Sequence, residues 1–169
     1  MHAAMADPPV RADPPVMAEP LGKADLAIRR ATADDLETLL PLIREFYTVD
    51  RHTWDEDRIR RALRPLLADD AYGVVWLVGA PPGGYAVVTW SYSLESGGRD
   101  ALLDEIYVRR RSAGLGSQTV RAIFNDLAQR GLSRIFLETE RHNTEVRRFY
   151  GRLGFREEDS IWMVNDLDV

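Results

Sequence analysis

The sequence has no cysteine, which excludes disulfides, thiolate metal sites and a cysteine nucleophile. Its three histidines, His2, His52 and His142, are too scattered to suggest a histidine metal site, so no metal is expected. No stretch approaches the roughly 18 consecutive apolar residues that a membrane span needs. The N-terminus also lacks the continuous apolar region of a signal peptide, so the chain reads as cytoplasmic, with no membrane partner. An excess of basic residues is missing too. The formal net charge is -5, which argues against a nucleic-acid partner and favours a cationic ligand. Carboxylates, hydroxyls, arginines and backbone remain for chemistry.

At 169 residues and 45% hydrophobic content the chain can build one packed domain of ordinary size. Residues 1–25 hold five of the nine prolines, including the doublet Asp7-Pro8-Pro9-Val10 and Asp13-Pro14-Pro15-Val16, and show no apolar periodicity. They are expected to form a disordered, proline-rich tail. Residues 26–169 are expected to form the single folded domain.

Leu26–Ala31 reads as a first strand, and Thr32 followed by Asp34 and Asp35 reads as a helix N-cap with acidic residues in the first turn. Leu36, Leu39, Leu40, Ile43, Phe46 and Tyr47 then recur at helical spacing, with Pro41 expected to kink or break the helix. A second helix is expected over 55–67, with Ile59, Leu63, Leu66 and Leu67 on one side and Pro65 ending or bending it. Tyr72–Val78 and Tyr85–Tyr92 read as an antiparallel hairpin around a Pro-Gly turn. Ala101–Val108 is the next strand. A helix over Ser117–Arg130 stops at Gly131. Ser133–Thr139 reads as a strand, Thr144–Leu153 as a helix and Ser160–Val164 as a final strand. The order β-α-α-β-β-β-α-β-α-β describes an α/β (α+β) fold, a mixed central sheet flanked by helices.

The chemistry concentrates at Leu103-Asp104-Glu105-Ile106-Tyr107-Val108 and the turn that follows. Two carboxylates lie inside the apolar strand. Gly114 and Gly116 open a helix whose free NH groups and positive dipole end suit a phosphate, and Arg111 adds a fixed positive charge. No Lys-Ser/Thr pair follows Gly116, so this is not a Walker A loop, and the third spaced glycine of a Rossmann fingerprint is missing.

Ile106-Tyr107-Val108, then Arg111-x-x-Gly114-x-Gly116, then a long helix, resembles the acetyl-CoA signature of the GNAT superfamily of N-acetyltransferases. Asn143, Val146, Phe149-Tyr150 and Leu153-Gly154-Phe155 resemble that family's second signature. Only Arg109 and Arg110 separate Val108 from Arg111, so the turn is about two residues shorter than the family's. The resemblance runs from about Leu26 onward and implies that acetyl-CoA is the co-substrate. Arg111, Ser112, Ala113, Gly114, Leu115, Gly116 and Ser117 would cradle its pyrophosphate. The backbone of Ile106, Tyr107 and Val108 would pair with pantetheine, which suits an exposed strand edge, and Asn143 would hydrogen-bond the cofactor.

The implied reaction is attack of an amine on the thioester. The acceptor is a small-molecule or peptide primary amine, a cationic one being favoured by Glu95, Asp104, Glu105 and the acidic balance. An amine of pKa about 10.4 is neutral in about one molecule in 2,500 at pH 7, so a base is wanted. Asp104 and Glu105 are the candidates. As neighbours on a strand they face opposite sides, and the residues leave the choice open. The resemblance makes Tyr150 the general acid for the departing thiolate, and a phenol of pKa about 10 does stay protonated at pH 7. A strand NH near Tyr107 or Val108 suits the oxyanion. Tyr92 and Glu95 are candidates for the acceptor pocket. Tyr47 and Trp54 read mainly as core, and His52 and His142 as surface. The resemblance also carries the expectation of a homodimer. A non-catalytic acyl-CoA-binding regulatory module on the same fold stays open as the alternative.

Overall fold

A computed structural model describes residues 27–109, 114–165 and 167. The proline-rich stretch over residues 1–25 lies outside them, as do Arg111, Ser112 and Ala113 of the glycine turn.

Gly73–Val78 is apolar along its whole length, and all six residues are buried. A strand apolar on both faces must be covered on both. The sheet contains β1 (Ile28–Arg30), β2 (Gly73–Val78), β3 (Gly84–Ser93), β4 (Gly98–Val108) and β5 (Ile135–Phe136), in that spatial order. The first four strands are antiparallel to their neighbours, and β5 is parallel to β4. Alternate side chains feed two cores. Val75, Leu77, Tyr85 and Val87 pack under α1 (Leu36–Val49) and α2 (Glu56–Ala68). Val74, Trp76, Ala86, Val88 and Leu103 pack under α3 (Leu115–Gln129) through Ile123 and Leu127. A fourth helix, α4 (Thr144–Arg152), follows β5.

The first helical run opens with a short 3-10 turn, Ala33–Asp35. Asp35 accepts the Thr32 NH at 2.9 Å and two hydrogen bonds from the Arg29 guanidinium at 2.8 and 2.6 Å. These contacts tie the start of α1 to β1. The expected break at Pro41 does not occur, and α1 runs through it. Likewise α2 continues three residues past Pro65, to Ala68. Both prolines are exposed, so each sits on the solvent side of a helix whose opposite face packs in the core, where water can satisfy the carbonyl left without a donor.

The strand ladder shifts register between Val87 and Val88. Val87 pairs with Glu105 and Val88 with Leu103, so Asp104 is an extra residue, a β-bulge. Below the bulge β4 keeps β5 at its side: Ala101 and Leu102 pair with Ile135 and Phe136. Beyond it the two strands part, and β5 is two residues long instead of the expected seven. Ser160–Val164 forms no strand. Its composition favours β structure, but Ile161, Trp162, Met163 and Val164 are 70–91% exposed, and a strand exists only where an edge pairs with it. The mixed sheet flanked by helices stands without this last element.

Candidate active site

Beyond the bulge, β4 has one partnered edge and one open edge. Arg109 N donates to Gly83 O at 2.9 Å. By the alternation of an antiparallel ladder, Tyr107 also faces β3 with its NH and carbonyl, while Ile106 and Val108 turn theirs to the side that β5 has left. Across the gap Leu137, Glu138 and Thr139 continue as chain without strand pairing. Between them runs an open cleft of about 2780 Å³, lined among others by Asp104, Glu105, Ile106, Gly116, Asn143 and Tyr150. Unpaired NH and carbonyl groups on a strand edge are available to an extended, amide-bearing ligand.

Glu105 is half-buried on the α1 face. Its Oε2 accepts a 2.7 Å hydrogen bond from the hydroxyl of Tyr85, which is itself fully buried. Burial raises the Glu105 pKa above the ordinary carboxylate value; the Tyr85 hydrogen bond offsets part of that, and the charge of Asp104 adds to it. Asp104 is exposed overall, yet protein atoms crowding the bulge desolvate its carboxyl and raise its pKa as well. Glu105 lies on the face of Tyr85 and Tyr107, as strand alternation predicts, and it feels the charge of Asp104 beside it on the bulge.

Tyr150 approaches the cleft from the other face. It packs beside Ile106 and Leu137, with its ring 5.0 Å from Phe149 and 5.4 Å from Phe155. Burial pushes its phenol up to about 12, so it is protonated throughout the neutral range.

The far end of the cleft is the start of α3. Gly114 is the N-cap residue at φ 72°, a left-handed conformation that favours glycine, and among the described residues no side chain caps this terminus. Gln118 N bonds to Gly114 O, which leaves the NH groups of Leu115, Gly116 and Ser117 without an intrahelical acceptor. No acidic residue lies in this first turn. A Cβ added at Gly116 would come no closer than 3.5 Å to Phe149, an ordinary contact. Nothing among the described residues therefore demands glycine at 116, and the absent side chain leaves room for a ligand against the NH groups of this turn.

Residues 36–155 match the model of the Acetyltransferase (GNAT) family. The chain belongs to the GNAT acetyltransferase family. Among solved structures it is similar to a candidate acetyltransferase of Arthrobacter sp. FB24, at 32% identity and TM-score 0.74, over 83% of this chain and 96% of that one. It is similar to an integron cassette protein from the mobile metagenome of Cole Harbour Salt Marsh, at 28% identity and TM-score 0.74, over 84% of this chain and 91% of the other. An aminoglycoside acetyltransferase from an uncultured soil metagenomic sample, solved with sisomicin, shares the fold at 18% identity and TM-score 0.69, over 85% and 97% of the two chains. The search of curated proteins gave no match. Membership of the family implies use of an acyl-CoA.

The GNAT matched region spans the bulge, the glycine turn and α4. Of the expected site residues, Asp104, Glu105, Ile106, Tyr107, Val108, Gly114, Gly116, Ser117, Asn143 and Tyr150 all line the one cleft, and Leu115 sits in the first turn of α3. Asn143 also caps α4, its Oδ1 accepting from Val146 N at 3.3 Å, so its amide NH2 is the part left for a ligand. Tyr92 and Glu95 do not line the cleft, and Tyr92 is 77% exposed near the β3–β4 turn. His142 is exposed. Tyr47 and His52 do line the cleft, although the sequence favours core for one and surface for the other. Two residues escaped sequence reasoning. Tyr85 is recognisable as a buried tyrosine in need of a partner, but its pairing with Glu105 depends on the bulge. Glu45, on α1, holds the Arg109 guanidinium at 2.7 and 2.6 Å and accepts the Tyr107 hydroxyl at 3.2 Å. It fastens the end of β4 to the helix.

Proposed function

We propose that this protein transfers the acetyl group of acetyl-CoA to a primary amine by direct attack. The observation that carries this proposal is that a half-buried carboxylate, Glu105, and a protonated phenol, Tyr150, line one cleft from opposite faces of the sheet.

The residues present fit the co-substrate. The phosphates would lie against the NH groups of Gly114 to Ser117 in the space left by Gly116. Pantetheine amides would pair with the open edge at Ile106 and Val108, and the Asn143 amide would donate to the same ligand. Bound there, acetyl-CoA supplies an activated acyl group as a thioester.

The protein's own task is proton traffic. Glu105, with a pKa raised by burial, takes the proton that the ammonium form of the acceptor must lose, at its carboxylate, while the Tyr85 hydroxyl holds that carboxylate in place. Asp104, beside it on the bulge, adds negative charge that favours a cationic acceptor. Tyr150 keeps its proton to high pH and donates it from its hydroxyl to the sulfur that leaves. The NH of Val108 points to the open edge and suits developing oxygen charge better than that of Tyr107, which faces β3.

The test is thiol release from acetyl-CoA over a panel of polyamines, amino acids, peptides and aminoglycosides, the last because a protein of the same fold was solved with sisomicin. Release with at least one amine is expected. A rise in melting temperature with acetyl-CoA but no release with any amine would instead identify a non-catalytic acyl-CoA-binding module.

A further inference from the structure

At the α1 end of the cleft, four aromatic rings meet around a carboxylate. The Tyr47 and His52 rings lie 5.3 Å apart, Phe46 lies 6.0 Å from Tyr47 and 6.2 Å from His52, and Tyr107 lies 6.2 Å from Phe46. Rings that only fill a core are closed off from solvent. These four line the open cleft, and each is partly or largely exposed. Glu105 belongs to the same wall, fixed by Tyr85 behind it.

We propose that Phe46, Tyr47, His52, Tyr107 and Glu105 form an ammonium cage that receives the acceptor as an alkylammonium ion. Ring faces carry negative quadrupole density and attract a cation more strongly than they attract a neutral group of the same shape. A half-buried carboxylate adds charge where water is scarce. Apolar rings alone would take any hydrocarbon, and a carboxylate alone would take any cation; together they select a positively charged carbon-bound nitrogen.

The surrounding charges agree. Among the described residues, Arg109 follows the end of β4 and is held by Glu45. Asp50 sits 2.7 Å from His52 Nε2, and Asp104 adds a further carboxylate to the lining. Arg58 is an opposing charge at the α1 end of the cleft, close enough to act on Tyr47, and its guanidinium donates to Thr53 O at 3.3 Å. It disfavours an acceptor with a second cationic centre on that side. The cage therefore suits a compact monocation or the single amine end of an extended one.

Assigning the cage to the acceptor rests on the acetyl-transfer proposal; the cage itself does not. The probe is tetramethylammonium, which has charge and shape but no transferable proton, set against the neutral tert-butanol. Calorimetric titration of the full chain is expected to show binding of tetramethylammonium and none of tert-butanol at the same concentration. Tyr47→Phe keeps the ring and keeps binding. Tyr47→Leu and Glu105→Gln each weaken it about tenfold, while acetyl-CoA still raises the melting temperature of both variants, which shows that they fold. Equal binding of the two probes, or unchanged tetramethylammonium binding in Tyr47→Leu, overturns the cage. Tetramethylammonium binding as expected, with no amine able to release CoA, keeps the cage as a cation site and overturns its assignment to an acetyl acceptor.

Discussion

Two hydroxyls and a carboxylate stand on the two faces of β4, Tyr85 with Glu105 on one and Tyr150 on the other. Tyr150 stands on the α3 face with a phenol pushed up to about 12 by burial, so at neutral pH it carries the proton that the proposed general-acid role requires. Tyr150→Phe removes one hydroxyl and leaves the ring against Phe149 and Phe155. It is expected to lower kcat by roughly 10²–10⁴-fold while the thermal shift with acetyl-CoA is unchanged. On the other face, the Tyr85 hydrogen bond stabilises the charged form of Glu105 and opposes the rise in pKa caused by burial. A base works only when ionised, so kcat/KM should rise with pH through the raised pKa of Glu105. Tyr85→Phe should move that acidic limb to still higher pH, and a limb that stays in place would remove Glu105 from the role of base. Tyr150 was legible in the sequence because it sits in a motif of fixed spacing. Tyr85 was not, because its partner lies twenty residues away in a register that one inserted residue decides.

At the scale of the element, the start of α3 separates folding from binding. Gly114 is tied to its left-handed backbone, whereas Gly116 has room for a methyl group. Gly116→Ala should leave the melting temperature unchanged or raise it, alanine being the better helix former by up to about 1 kcal/mol. Acetyl-CoA affinity in the same variant should fall at least tenfold, measured by calorimetry. The junction of β1 and α1 makes a prediction of the opposite kind. The Arg29 guanidinium beside Asp35 holds its carboxyl well below the usual carboxylate range, and the Thr32 NH supports the charge. A depressed folded-state pKa gives stability that is present in full above the unfolded value near 3.8 and is lost as pH falls through the folded one. Asp35→Asn should therefore cost about 1–2 kcal/mol in urea melts at pH 7, with the gap to wild type closing in strong acid. Helices were legible because their apolar period reports the buried face directly, as with Ile59, Leu63 and Leu67. The break expected at Pro41 and the helix end expected at Pro65 do not occur, because propensity omits the packing of the opposite face. Ser160–Val164 misled because composition cannot supply a pairing edge.

For the whole molecule, the decisive event is the parting of β4 from β5. Four antiparallel strands make a rigid half-sheet sealed on both faces, and the bulge at Asp104 then turns β4 so that β5 keeps only its first two pairings. The gap connects the two faces, so that half-buried residues of different faces, Glu105 on one and Tyr150 on the other, line the same cleft. The fold class and the location of the cleft were legible in the sequence through the order of elements and two linked motifs. The bulge was not, since Leu103 to Val108 reads as uninterrupted strand. Asp100 stays outside this account: it is buried on β4 and neither carboxylate oxygen has a hydrogen-bond partner among the described residues. A buried carboxylate without a partner costs stability, so Asp100→Asn should raise the melting temperature without changing acetyl-CoA affinity.

The most direct measurement of the central claim is CoA thiol release by wild type and Tyr150→Phe, side by side, over the amine panel at saturating acetyl-CoA. Wild type is expected to release thiol with at least one primary amine, and Tyr150→Phe to bind acetyl-CoA equally well yet lose most of that turnover. Full turnover in Tyr150→Phe, or no amine-dependent release by a wild type that binds acetyl-CoA, would contradict that claim.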